Sequence, residues 1–145
     1  LSIHTILEVH RLLTKDLGID SGIRKYPVGI TGTTYRPPGN EWQIREYLEK
    51  IIIAVNDTHH PLEKGIILTS MIAYLQPFVD GNKRTARMLT NAVLLSQDYF
   101  PLSYRSIDEI EYKSAQILFY ETHSLYHIKR LFLEQYRFAV QTYFV

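Results

Sequence analysis

Apolar residues recur along this chain with the period of a helix rather than of a strand. Ile3, Ile6, Leu7, Val9, Leu12, Leu13 and Leu17 mark a first amphipathic segment over residues 2–17, and Gly18 supplies its stop. Asn40 stands as an N-cap before a second helix over residues 41–56. Its apolar side is Trp42, Ile44, Tyr47, Leu48, Ile51, Ile52 and Val55, all expected in the core. Pro61 suits the first position of a third helix that runs to Leu75. A fourth helix starts near Asn82 and is expected to carry Met88, Leu89, Ala92, Val93 and Leu95 inward. Ser106 and Glu109 have the spacing of a capping box before a fifth, with Ile110, Tyr112, Ile117, Leu118 and Phe119. The sixth runs from about Ser124 to near Tyr143, with Leu125, Ile128, Leu131, Phe132 and Tyr136 on one side.

Residues 23–38 depart from this pattern, being rich in β-branched residues, tyrosine, glycine and proline. They read as a β-hairpin or an extended loop. In a helical chain a hairpin has no sheet to join, so its edge is free to pair with another extended peptide. A surface connection closed by Pro37 and Pro38 accounts for the composition equally well. The expected fold class is therefore all-α, a bundle of about six helices with one β-hairpin.

Composition narrows the picture. A chain of 145 residues, 46% hydrophobic, suits a single domain over residues 1–145 with one core. A formal net charge of +1 with no long Lys/Arg cluster argues against nucleic acid as a partner. The absence of cysteine excludes disulfides, thiol nucleophiles and thiolate metal sites. No apolar run is long enough for a membrane span and no signal-peptide pattern opens the chain, so no membrane partner is expected and a cytoplasmic location is the default. The chain opens at Leu1, and the expectation is a domain excised from something longer. His4 and His10 share no helix face, and the adjacent His59 and His60 lack a third ligand at suitable spacing. Packing and solvation explain them better than metal binding.

Candidate chemistry concentrates between the third and fourth helices, in Gln76-Pro77-Phe78-Val79-Asp80-Gly81-Asn82-Lys83-Arg84-Thr85-Ala86-Arg87. Pro77 ends one helix, Asp80-Gly81-Asn82 makes a tight turn, and the next helix begins with free N–H groups. Those donors, the positive end of the helix dipole and the cations Lys83, Arg84 and Arg87 together call for an anion, and a phosphate chain fits. Asp80 is the carboxylate able to share a divalent metal with such phosphates, and Phe78 is an anchor turned into the core. Asn91, one turn beyond Arg87, either orients its guanidinium or is a polar position at the helix edge. A plain helix–turn–helix connection, with Asp80 as N-cap and a solvated basic face, fits the same letters.

Residues 76–87 resemble the signature of the Fic family, H-x-F-x-D/E-G-N-G/K-R-x-x-R. Phe78, Asp80, Gly81, Asn82, Arg84 and Arg87 match it, and Gln76 stands where the family has His. The resemblance implies the Fic fold over about residues 1–133, with residues 23–38 as the flap. It also implies ATP and Mg²⁺ as cofactors, and transfer of AMP to a hydroxyl of a target protein segment docked along residues 30–35. By that pattern Asp80 holds Mg²⁺, Gly81, Asn82 and Lys83 line the phosphate site, and Arg84 and Arg87 clamp the β and γ oxygens. The leading His is the base, and a glutamine amide cannot take its proton, so Gln76 implies impaired or absent turnover. Lys83 matches the Doc-type members, which the resemblance associates with γ-phosphate transfer instead. Family members are commonly held inactive by a Ser/Thr-x-x-x-Glu helix pairing with the second arginine, here Arg87. No Ser or Thr of this chain has Glu four positions later, so such a helix would belong to an inhibitory partner chain or another part of the protein. Two other classes remain open: a non-catalytic nucleotide- and peptide-binding module, and a helical interaction module that uses the hairpin edge alone.

Overall fold

The computed structural model describes residues 1–144. It contains six helices: α1 Ile3–Thr14, α2 Glu41–Asp57, α3 Pro61–Leu75, α4 Asn82–Ser96, α5 Glu109–Thr122 and α6 Tyr126–Tyr143. There is no β-strand among the described residues. The all-α expectation therefore holds, and none of these helices is long and apolar enough to cross a membrane.

α3 is the central post. Its apolar residues are not confined to one stripe: Ile66, Leu68, Ile72, Ala73 and Leu75 are all buried, and α2, α4, α5 and α6 pack around it. The closest approach is to α4 and α6 at Gly65, where an added Cβ would meet the Phe132 ring at 2.8 Å and the Thr90 methyl at 3.1 Å. The Thr69 and Thr90 hydroxyls bond across the buried α3–α4 seam at 3.1 Å, and Thr90 also donates to Gly65 O. One core cluster lies beneath α1 and α2, including Ile6, Ile44, Leu48, Ile72 and Phe78. A second, containing Tyr112, Phe119, Tyr120 and Ile128, lies beside α5. The α3–α4 loop thus rises from the rigid centre of the bundle.

Several sequence expectations shift at the level of single residues. α1 ends at Thr14 rather than running to Leu17, because residues 15–18 turn away; Leu12 and Leu17 are exposed, while His10 and Thr14 complete the buried stripe started by Ile6. In α2 the buried stripe is Ile44, Leu48, Ile51 and Val55; Trp42 and Tyr47 flank it and are 82% and 47% exposed. In α4 the inward face is Asn82, Thr85, Ala86, Leu89, Thr90 and Leu94, whereas Met88, Ala92 and Leu95 face out. Ile110 and Leu118 of α5 are exposed for the same reason, since its inward stripe runs through Tyr112, Ala115, Phe119 and Tyr120. The N-cap of α5 is Asp108, which accepts from Glu111 N–H; Ser106 instead accepts from Gln135 Nε2. Asn40 caps α2 and Pro61 opens α3 as expected.

The β-hairpin expected over residues 23–38 is not formed. Residues 27–38 make no backbone–backbone hydrogen bond among the described residues, and Pro27, Pro37 and Pro38 have no N–H to offer. The segment is extended, with a turn at Thr31 and Gly32, and its β-forming residues serve as side-chain anchors. Thr33 donates to Glu121 of α5 at 2.9 Å, and the Tyr35 hydroxyl donates to Tyr74 O of α3 at 3.0 Å. The Tyr35 ring stacks on Tyr74 with 4.2 Å between centroids and tilts against Tyr120. A strap of this kind draws its stability from the helices under it, so it needs no ladder of its own.

Candidate functional site

α3 stops because Gln76 turns into the left-handed region (φ 49°, ψ 58°) immediately before Pro77. α4 starts after Gly81, also left-handed (φ 83°, ψ 9°), where a Cβ would come within 3.2 Å of the Thr14 methyl. The first hydrogen bond of α4 runs from Thr85 N–H to Gly81 O at 2.9 Å. The N–H groups of Asn82, Lys83 and Arg84 therefore have no carbonyl in their own helix, and no side chain caps them. An uncapped helix N-terminus carrying three cations in its first two turns is electrostatically incomplete without an anion.

The loop is held from several sides. Asn82 is buried; its Oδ1 accepts from Phe78 N–H, and its Nδ2 donates to Phe78 O and to Gln76 Oε1. Gln76 Nε2 donates to Ala73 O at 2.7 Å, so both ends of the Gln76 amide are engaged inside the loop. Phe78 is fully buried, as expected of an anchor, and lies parallel to the His10 ring with 3.7 Å between centroids. His10 Nε2–H donates to Asp80 O at 2.9 Å, which fixes the neutral tautomer, and burial pushes its pKa down. Arg24, 2% exposed, donates from Nε to Gln76 O (2.6 Å), from Nη2 to Leu75 O (3.2 Å) and from Nη1 to Tyr26 O (2.9 Å). Its charge sits at the negative end of α3, where burial lowers its pKa but leaves a guanidinium ionised.

Asp80 is exposed. Its Oδ1 accepts from Gly81 N–H at 2.6 Å, and its Oδ2 lies 3.6 Å from Arg84 Nη2. No group of three His, Cys, Asp or Glu side chains is placed to hold a metal among the described residues. A loosely engaged single carboxylate fits a Mg²⁺ that takes its remaining ligands from water and phosphate.

Three hollows meet at Lys83. One of about 200 Å³ is lined by Gln76, Asp80, Gly81, Asn82, Lys83 and Arg84. One of about 250 Å³ opens toward the strap, bounded by Ile30, Thr31, Gln76, Lys83, Lys113 and Gln116. One of about 380 Å³ lies beside Lys83, Arg87, Ile107, Tyr112 and Lys113. The Lys83 ammonium is pushed below its ordinary pKa, first by loss of water around it and then by Arg87 and Lys113. The Arg87 guanidinium carbon sits 4.7 Å from the Tyr104 ring centre and 5.4 Å from that of Tyr112, and its buried Nε has no hydrogen-bond partner.

The structure thus brings Gln76, Asp80, Gly81, Asn82, Lys83 and Arg84 to one hollow and Arg87 to the adjoining one. Asn91 does not orient Arg87: its amide exchanges two hydrogen bonds with the backbone of Leu102 and pins the α4–α5 connection. Sequence reasoning did not single out Arg24 or Lys113, and it gave His10 a packing or surface role without its bond to the loop. The one readable signal was His10, four residues from both Ile6 and Thr14 on the buried stripe of α1.

Known proteins place this geometry in context. Residues 1–94 match the model of the Fic/DOC family. Over 121 residues the chain is 31% identical to a protein adenylyltransferase Fic of Nematostella vectensis, covering 77% of this chain and 27% of that protein. A probable protein adenylyltransferase of Aquifex aeolicus is 27% identical over 103 residues, covering 70% of this chain and 32% of its own length. The chain therefore spans about a quarter to a third of these curated relatives. Among solved structures, Fic-1 of C. elegans (residues 134–508) superposes with a TM-score of 0.79 at 27% identity, over 99% of this chain and 42% of that one. BepC of Bartonella tribocorum, solved with bound AMPPNP, shares the fold at a TM-score of 0.63 and 17% identity, over 77% of this chain and 56% of that one. With a family model matched over well over half its length and the signature loop seated at an open helix N-terminus, the chain belongs to the Fic/DOC family.

Proposed function

We propose that this chain carries the nucleotide-binding core of a protein adenylyltransferase in which Gln76 makes transfer slow or abolishes it. The observation that carries this reading is the uncapped N-terminus of α4 opening onto a hollow ringed by Gln76, Asp80, Lys83 and Arg84, with Arg87 next to it. The names of the relatives supply the reaction class.

ATP would lay its phosphates over the N–H groups of Asn82, Lys83 and Arg84, with Arg84 and Arg87 on the oxygens of the leaving group. Asp80 would hold Mg²⁺ on the same phosphates. A hydroxyl of a target segment, lying along residues 30–35 where the chain makes no backbone–backbone hydrogen bond among the described residues, attacks the α-phosphorus. The bond to the bridging oxygen breaks and pyrophosphate leaves. The hydroxyl proton needs an acceptor, and the Gln76 amide has no basic site and both its ends already bonded. Loss of a general base lowers turnover by about 10²–10⁴-fold. A γ-phosphate transfer of the Doc type is the second reading, favoured by Lys83, which borders all three hollows.

The test is labelling by the Gln76→His variant with α- and γ-labelled ATP in parallel, on itself and on a hydroxyl-bearing protein. His tolerates the left-handed backbone of this position better than most residues. Label from the α-phosphate alone is the expected result; label from the γ-phosphate alone replaces AMP transfer by phosphate transfer. ATP binding without any label makes the chain a binding module, and no binding at millimolar ATP removes the nucleotide altogether.

A further inference from the structure

The basic residues of the signature stretch are not the only cations at the groove. Lys113, on α5, lines the hollow toward the strap and the hollow beside Arg87, and Lys83 lines both as well. The two lysines thus stand at the junction between the two hollows, and each is without a carboxylate within ion-pairing distance among the described residues. Glu109, at the rim of the larger hollow, is the one acidic side chain in either lining. The turn of the strap at Gly32 lies close by, with the Lys113 Cε 4.0 Å from the position a Cβ on Gly32 would take. Arg87 adds a third charge on the same side, with its Nε buried and unpartnered. Like charges gathered without counter-charge raise the free energy of the empty groove, and only a ligand with several negative charges relieves all of them together.

We infer that Lys113 is a further phosphate-binding residue of the groove, and that with Lys83 it makes the site select a nucleoside polyphosphate over a monophosphate. The inference rests on the nucleotide reading given above and extends it to a helix outside the signature loop. Lys113 lies on α5, outside residues 1–94 that the family model matches. Burial is the first cause of the lowered pKa of Lys83, and the charges of Arg87 and Lys113 add to it.

Calorimetric titration of the chain with ATP, AMP and adenosine, each with Mg²⁺, tests it. Lys113→Gln is expected to weaken ATP by about tenfold, the scale of one charge-assisted contact in a half-solvated groove. AMP and adenosine should change by less than about twofold, and the dependence of ATP affinity on salt should become shallower. Lys113→Arg keeps the charge and should stay within about threefold of the parent. Because Lys113 is exposed, thermal melting of these variants is expected to match the parent. ATP affinity unchanged in Lys113→Gln, or ATP and AMP weakened alike, overturns the inference while leaving the nucleotide reading intact. A parent that binds no ATP, or binds it no better than Arg87→Ala does, overturns both.

Discussion

The signature loop and the strap of residues 23–38 lie side by side at the groove, yet they are held in opposite ways. In the loop, backbone groups are fixed by side chains, two from outside it and one of its own: Arg24 on Leu75 O and Gln76 O, His10 on Asp80 O, and Asn82 on both polar groups of Phe78. In the strap, side chains reach down to the helices, and residues 27–38 make no backbone–backbone hydrogen bond among the described residues. The loop is therefore pre-organised, so that the N–H groups at the start of α4 point one way whether or not an anion is present. The strap has no ladder to stiffen it, and on the function proposed above its free backbone groups are where an extended peptide would pair. Arg24 is where the two regimes meet, since one guanidinium binds carbonyls of the loop and of Tyr26 together.

Arg24→Met breaks that junction and carries the largest expected effect. Three carbonyls lose a charged donor in a buried setting, and removing hydrogen bonds of this kind costs about 3–5 kcal/mol in all. Urea unfolding of the parent and variant measures it. Hydrogen exchange should show earlier opening around residues 24–38 and 75–77 than in α2 and α6. A loss below about 1 kcal/mol would mean that the strap and the loop are held independently.

Gly81→Ala acts on the loop alone. The positive φ of 83° and the Thr14 methyl at 3.2 Å both oppose a side chain, and the expected destabilisation is about 1–3 kcal/mol. It should also weaken ATP binding, because relief of the strain has to rotate the N–H groups that follow. Equal ATP affinity in the folded variant would show that the turn tolerates movement and that pre-organisation matters less than the cations.

The strap's own tether is smaller. Tyr35→Phe removes one part-buried hydroxyl bond to Tyr74 O while keeping the stacked ring, and about 1 kcal/mol is expected in the same unfolding assay. Its ATP affinity should remain that of the parent, in contrast to Gly81→Ala.

The same contrast explains what was legible in the sequence. Helices α2 and α3 announced their starts through Asn40 and Pro61, and the loop announced itself because turn residues and cations are local signals. The strap misled because β-forming residues describe side chains that like a flat, half-buried surface, and the aromatic bed of Tyr74 and Tyr120 is such a surface without being a sheet. Trp42 and Met88 fit an apolar helix side and are expected in the core, but the buried stripes run through Ile44, Leu48, Ile51 and Val55 and through Thr85, Ala86, Leu89 and Leu94, which leaves both beside them. Arg24 was illegible because its partners are backbone carbonyls 51 and 52 residues away, which carry no sequence identity.

The smallest effect, and the finest probe of the loop's fixation, lies in the pH dependence contributed by His10. Its ring is buried, its Nε2–H is committed to Asp80 O, and its buried Nδ1 has no partner. Loss of water lowers its pKa in the folded state; the bond to Asp80 O and the Asp80 charge push the other way, and Arg84 adds to the lowering. In the unfolded chain the same imidazole titrates near about 6.5. Below that value the unfolded chain binds the proton more readily than the folded one, so stability from this group is full above it and is lost as pH falls through the lower, folded-state pKa. Melting curves collected from pH 7.5 to 5 should fall more steeply for the parent than for His10→Gln, which retains an N–H donor but has no titrating ring. Parallel curves would mean that the loop accommodates a charged His10, and that the Asp80 carbonyl, rather than burial, governs the ring.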